Sequence, residues 1–125
     1  MNWAENAKRN AEHTIKMFAG SHNVELDYNE KSIEVLDDFI NQSGQKFNDK
    51  QREQLIDFLG SFLGEVIRVN YGGKWEVING DVGIRFDETN AVFPFNKIRK
   101  QFVNGQEDSI SSFYQMIPFI FKTSK

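Results

Sequence analysis

Apolar residues recur every three to four positions through the first half of the chain and then every second position from Trp75, so the sequence reads as helices leading into strands. The longest helical stretch, Asn48 to Trp75 (NDKQREQLIDFLGSFLGEVIRVNYGGKW), predicts one helix delivered by a glycine pair into a strand. At about 100° per residue, Leu55, Ile56, Phe58, Leu59, Phe62, Leu63, Val66, Ile67 and Val69 fill about half its circumference. An arc that wide suits a central helix, about 34 Å long, with several neighbours. Asp57, Ser61, Gly64 and Arg68 fall on the opposite face, with Glu65 at the border. Gly60 and Gly64 should each cost about 1 kcal/mol relative to Ala in a helix interior. They predict a sheet or second helix too close to the backbone for a Cβ, or a ligand or partner surface in contact with it.

Around this helix the pattern places four more. Trp3, Ala7, Ala11, Ile15 and Phe18 form a narrow stripe over residues 2–19, ended by Gly20. After the short extended piece Val24–Tyr28, Asn29 caps a second helix with Ile33, Leu36, Phe39 and Ile40 inward and Glu34, Asp37 and Asp38 outward. Asn48 and Gln51 have the spacing of a capping box for the central helix. From Lys74 the period is two: Trp75 and Val77 share a face, Asn79-Gly80 marks a hairpin, and Val82, Ile84 and Phe86 return on one face. Ala91–Phe93 predicts a third strand, stopped by Pro94. Asn96 is expected to cap a short helix carrying Ile98 and Phe102, ended by Gly105. The last helix starts at Asp108 or Ser109 and runs to Pro118. The apolar tail Phe119-Ile120-Phe121 is expected to add a fourth strand at the sheet edge, or else to form an exposed strip that seeks a partner.

The expected fold is therefore α+β: about five helices around a central long helix, packed on a three-stranded antiparallel sheet that a tail strand would extend to four. One domain spans 1–125, with an N-terminal helix (1–20), a core (24–117) and the C-terminal tail (118–125). A length of 125 residues matches a single domain.

Composition narrows the chemistry. The balance of 15 Lys+Arg against 18 Asp+Glu gives a net charge of −3, without the basic footprint of a nucleic-acid binder. No cysteine is present, so disulfides, thiolate metal sites and a cysteine nucleophile are excluded. His13 and His22 are too few for a histidine-rich metal site, and His13 reads as a solvated helix residue. The start lacks the apolar stretch of a signal peptide and no run is long enough to span a membrane, so a soluble cytoplasmic protein without cofactor is expected.

Catalytic motifs are absent: no phosphate-binding loop, HExxH, GxSxG or calcium loop. Gly72-Gly73 leads from helix to strand, the reverse of a dinucleotide fingerprint. Two sets of residues remain. Glu65 and Arg68, three apart on one helix, pair as a tether or present a recognition or acid/base carboxylate; with Trp75 and Tyr28 they outline a ligand pocket. Arg85, Lys97, Arg99 and Lys100 form a local basic concentration, read as a solvated face or as a docking patch for an acidic protein.

Three segments, LDYNEKSIEVLDDFI, FLGSFLGEVIRVNYGGKWEV and VFPFNKIRKQFVNGQEDSISSFY, resemble a widespread bacterial family known only as a domain of unknown function. Its pattern is a Gly-Glu-Val helix leading to Gly-x-Trp and later to Pro-Phe-x-x-Ile/Val. The matching positions are Leu26, Asp27, Gly60, Gly64, Glu65, Val66, Trp75, Pro94, Phe95, Lys97, Ile98 and Lys100. The resemblance covers roughly residues 24–117 and implies a bacterial cytosolic protein; it brings no catalytic role. By analogy of fold alone, a regulatory or immunity-like partner of another protein is implied. A non-enzymatic protein-binding module, engaging a protein partner or a second copy of itself, is the expected function. The alternative is a small-molecule-binding protein or enzyme with its pocket beside Glu65; nucleic acid comes last.

Overall fold

The structure, a computed structural model, describes the backbone of residues 2–123 and the side chains of residues 2–120. Its elements run α1 (Trp3–Ser21), α2 (Glu30–Ser43), α3 (Asp49–Tyr71), β1 (Lys74–Ile78), β2 (Asp81–Arg85), β3 (Ala91–Val92), α4 (Pro94–Asn104) and α5 (Ile110–Thr123), an α+β fold. Asparagines start the first three helices. Asn2 accepts from the Glu5 N–H, Asn29 from the Ser32 N–H, and Asn48 and Gln51 bond reciprocally at 2.9 Å each way.

Central helix α3 buries Leu59, Phe62, Leu63, Val66 and Ile67 completely. Its polar face is covered too: Ser61 and Gly64, placed opposite the apolar arc, are both buried. Part of the cover is α1, which runs antiparallel along that face, its first turns beside Glu65 and Arg68 and its Thr14 hydroxyl 2.8 Å from the Phe58 carbonyl. Ala7, Ala11 and Thr14 are the buried residues of α1 ahead of Phe18, and side chains this small let the two helices approach closely. Val69, expected within the apolar arc, is 55% exposed.

Gly72 and Gly73, at φ +85° and +98°, end α3 and turn the chain back as β1. Asn79 and Gly80 both take positive φ and form the two-residue turn joining Ile78 to Asp81. The sheet order is β1-β2-β3, antiparallel throughout, with Ile84 paired to Trp75 on one side and to Val92 on the other. Both glycines inside α3 are explained by close neighbours. A Cβ on Gly64 would overlap the Trp75 ring, and one on Gly60 would overlap Phe95.

Two boundaries differ from expectation. Helix α4 begins at Pro94, with Asn96 inside its first turn rather than at the cap. Proline suits that place because its fixed φ is already helical and a first-turn N–H has no intrahelical acceptor. Helix α5 continues through Pro118 to Thr123, so residues 118–123 form no fourth strand and the sheet has three. Ile110, Tyr114 and Ile117 are buried and Ile120 packs on the core, extending the same stripe. Burying that stripe offsets the backbone hydrogen bond that Pro118 cannot donate. The Phe121 side chain lies outside the described residues.

Asp37, expected on a solvated face, is 5% exposed. One carboxylate oxygen accepts from Asn41 Nδ2 (3.0 Å), Gln101 Nε2 (3.0 Å) and Gln106 Nε2 (2.7 Å); the other accepts from the Ser109 hydroxyl and the Ser111 N–H (3.0 Å). Asp37 thereby ties α2 to α4 and places an anion at the start of α5, where the helix dipole favours one. Burial pushes this carboxyl up, but the hydrogen bonds from Ser109, Ser111, Gln101 and Gln106 outweigh burial and hold it below the usual carboxylate range.

Candidate functional site

The end of α3 and the start of β1 converge on Glu65. The glycine turn at 72–73 brings β1 back over α3, and the missing Cβ at Gly64 lets the Trp75 indole lie against the helix. The indole Nε1–H then donates to Glu65 Oε2 at 2.9 Å. Arg68, one turn on, donates from Nε to the same oxygen at 2.9 Å and from Nη2 to Oε1 at 3.1 Å. The Glu65 side chain is 5% exposed and that of Arg68 41%. A carboxylate so deeply buried needs this full set of donors, because its desolvation is otherwise uncompensated. In turn, the hydrogen bond to Glu65 raises the Arg68 pKa still further, against burial.

Tyr28 stands close by without joining the wall. Its ring stacks on Phe62 at a centroid distance of 5.6 Å. Burial, then the charges of Glu65 and Glu12, push its phenol up, opposed by Arg68. Glu65, Arg68 and Trp75 thus come together as the sequence suggests, with Tyr28 behind them.

In front of them is a groove of about 470 Å³ between the first turns of α1 and β1, where Glu5 and Lys8 face Arg68 and Lys74. Gly73, Lys74 and Trp75 also border a second concavity, about 540 Å³, that continues to Glu76, Arg85 and Asp87. Lys8, Glu5 and Lys74 escape sequence reasoning, since nothing local in the chain reveals that α1 lies antiparallel on α3.

The four other cations have separate surroundings. Arg85 Nε donates to Glu76 Oε2 at 2.6 Å at the far end of the trough. Arg99 Nη2 donates to both oxygens of Glu53, at 3.1 and 2.9 Å, on α3. Lys97 lies 5.1 Å over the Phe113 ring of α5, and Lys100 is exposed. His13 is exposed with its ring 4.4 Å from Phe58. Among the described residues no three His, Cys, Asp or Glu side chains are grouped to hold a metal ion, and no helix is long and apolar enough to cross a membrane. No family model, curated protein or solved structure matches the chain.

Proposed function

We propose that the protein is a non-enzymatic binding module whose groove beside Glu65 receives an acidic segment of a protein partner. The observation that carries this reading is the fixed pair at its floor: buried Glu65 holds the Arg68 guanidinium and the Trp75 indole in one orientation. Preorganised groups lose little freedom on binding, which is how a shallow groove gains affinity. Lys8, Arg68 and Lys74 set three positive side chains against Glu5 and Glu65, a local excess of one on a chain whose net charge is −3. An acidic strand with an apolar residue over Trp75 matches both features. A regulatory or immunity-like role, as the family resemblance implies, is the setting such a module fits.

The second reading, a small-molecule site at the same place, draws on the same concavity. Both Glu65 oxygens are already engaged, so in either reading Glu65 positions its neighbours rather than transferring protons. Fluorescence anisotropy of labelled decapeptides rich in Asp and Glu tests the proposal. Binding that weakens with salt, and about tenfold further in the Lys8→Glu/Lys74→Glu variant, is expected. Absence of binding at low salt, or equal binding by the variant, contradicts it; free dicarboxylates that bind as tightly as the peptides favour the second reading.

A further inference from the structure

Beneath α1, on the other side of Trp75, the start of α4 and helix α3 close off a chamber of about 190 Å³. Trp3, Trp75 and Phe95 line it, the last two with ring centroids 5.6 Å apart. Ser61, 1% exposed, also lines it. The half-buried Asn6 and Asn10 border the chamber as well. Polar side chains thus stand among its aromatic walls. Its volume takes about six waters or one compact organic molecule.

The charges around it select a cation. Asp57 lines the chamber, and an adjoining cleft of about 240 Å³ shares Trp3, Asp57 and Phe95 with it and opens past Asp81 and Arg99. Arg99 is held by Glu53, so Asp57 and Asp81 leave this passage negative. Burial, then Glu53, push the Asp57 carboxyl above its ordinary value, with Arg99 opposing; a bound cation relieves that unfavourable charge.

We infer that this chamber binds a small alkylammonium ion, either a free amine or the side chain of a lysine or methylated lysine. Aromatic walls attract such a cation and Asp57 balances it. Ser61 and the two asparagines offer hydrogen bonds to its N–H or hydroxyl groups. The site is independent of the acidic-segment groove and shares only the Trp75 wall with it.

Titration of the isotope-labelled protein, followed by NMR, uses four probes: choline, tetramethylammonium, a short peptide carrying trimethyllysine, and the neutral isostere of choline with carbon in place of nitrogen. Choline or the peptide is expected to saturate, shift the Trp3 indole resonance, and bind about tenfold more tightly than the neutral isostere. Asp57→Asn should remove that tenfold preference while still binding the neutral isostere, which also shows that the variant is folded. Choline binding without peptide binding identifies a free amine as the ligand; the reverse identifies a protein side chain. The inference is overturned if no ammonium probe shifts Trp3, leaving a chamber filled by water. Equal affinity for choline and its isostere, or shifts centred on Lys8, Arg68 and Lys74, overturns it as well.

Discussion

Asp37 and Gly64 show how single positions organise this molecule. Because hydrogen bonds hold the folded Asp37 carboxyl below its unfolded value of about 3.9, its stabilisation is complete above that pH and fades as the pH falls through the lower folded value. Asp37→Asn should therefore destabilise the protein by about 2–4 kcal/mol at neutral pH, since several donors lose a charged acceptor. Urea denaturation of both proteins across the acid range checks this: the variant should be less stable at pH 7 and lose less on acidification. At Gly64, alanine must displace an indole pinned through its N–H to Glu65, at a cost of about 1–3 kcal/mol; an unchanged denaturation midpoint would mean that the ring moves freely. The glycine was legible because two of them in a helix interior demand a close neighbour. Asp37 lies about 40° around the helix from Ile33, on the inward side, yet a carboxylate reads as solvated unless donors for it are known. Apart from Asn41, one turn on in α2, its partners come from α4, the residues leading into α5 and its first turn, which nothing local reveals.

At the scale of elements, caps and turns were written locally and could be read locally. Asn29, Asn48 with Gln51, Gly72-Gly73 and Asn79-Gly80 each act through residues within a few positions of themselves. Helix α5 was not legible in this way, because whether Pro118 ends it depends on what Ile117 and Ile120 find to pack against. Since an interior proline costs up to about 3 kcal/mol, Pro118→Ala should raise stability by about 1–3 kcal/mol; a tail paired as a strand would gain nothing, and thermal unfolding separates the two. Tyr114, on the same helix, lies 5.7 Å from the Tyr71 ring of α3. Burial, then Tyr71 and Glu30, push its phenol up to about 12. The Tyr114 contribution to stability is thus complete below its unfolded value of about 10 and is lost as the pH rises toward 12. Spectrophotometric titration should show one tyrosine ionising well after an unperturbed phenol, and Tyr114→Phe should lessen the alkaline loss of stability.

For the whole molecule, the decisive arrangement is the antiparallel placement of α1 on the polar face of α3. It buries Ser61, sets Lys8 opposite Arg68 and Lys74, and leaves the groove and the chamber on either side of Trp75. The sequence carried Glu65, Arg68 and Trp75 as a group, since they fall within eleven residues around one turn. It could not carry the α1 contribution, which depends on a contact spanning more than fifty positions. The measurement that bears most directly on the proposed function is NMR mapping of an Asp/Glu-rich peptide on the isotope-labelled protein. Shifts concentrated on Lys8, Arg68, Lys74 and the Trp75 indole, reversed by salt, are the expected result. Shifts centred on Lys97, Arg99 and Lys100, or none at low salt, would contradict it.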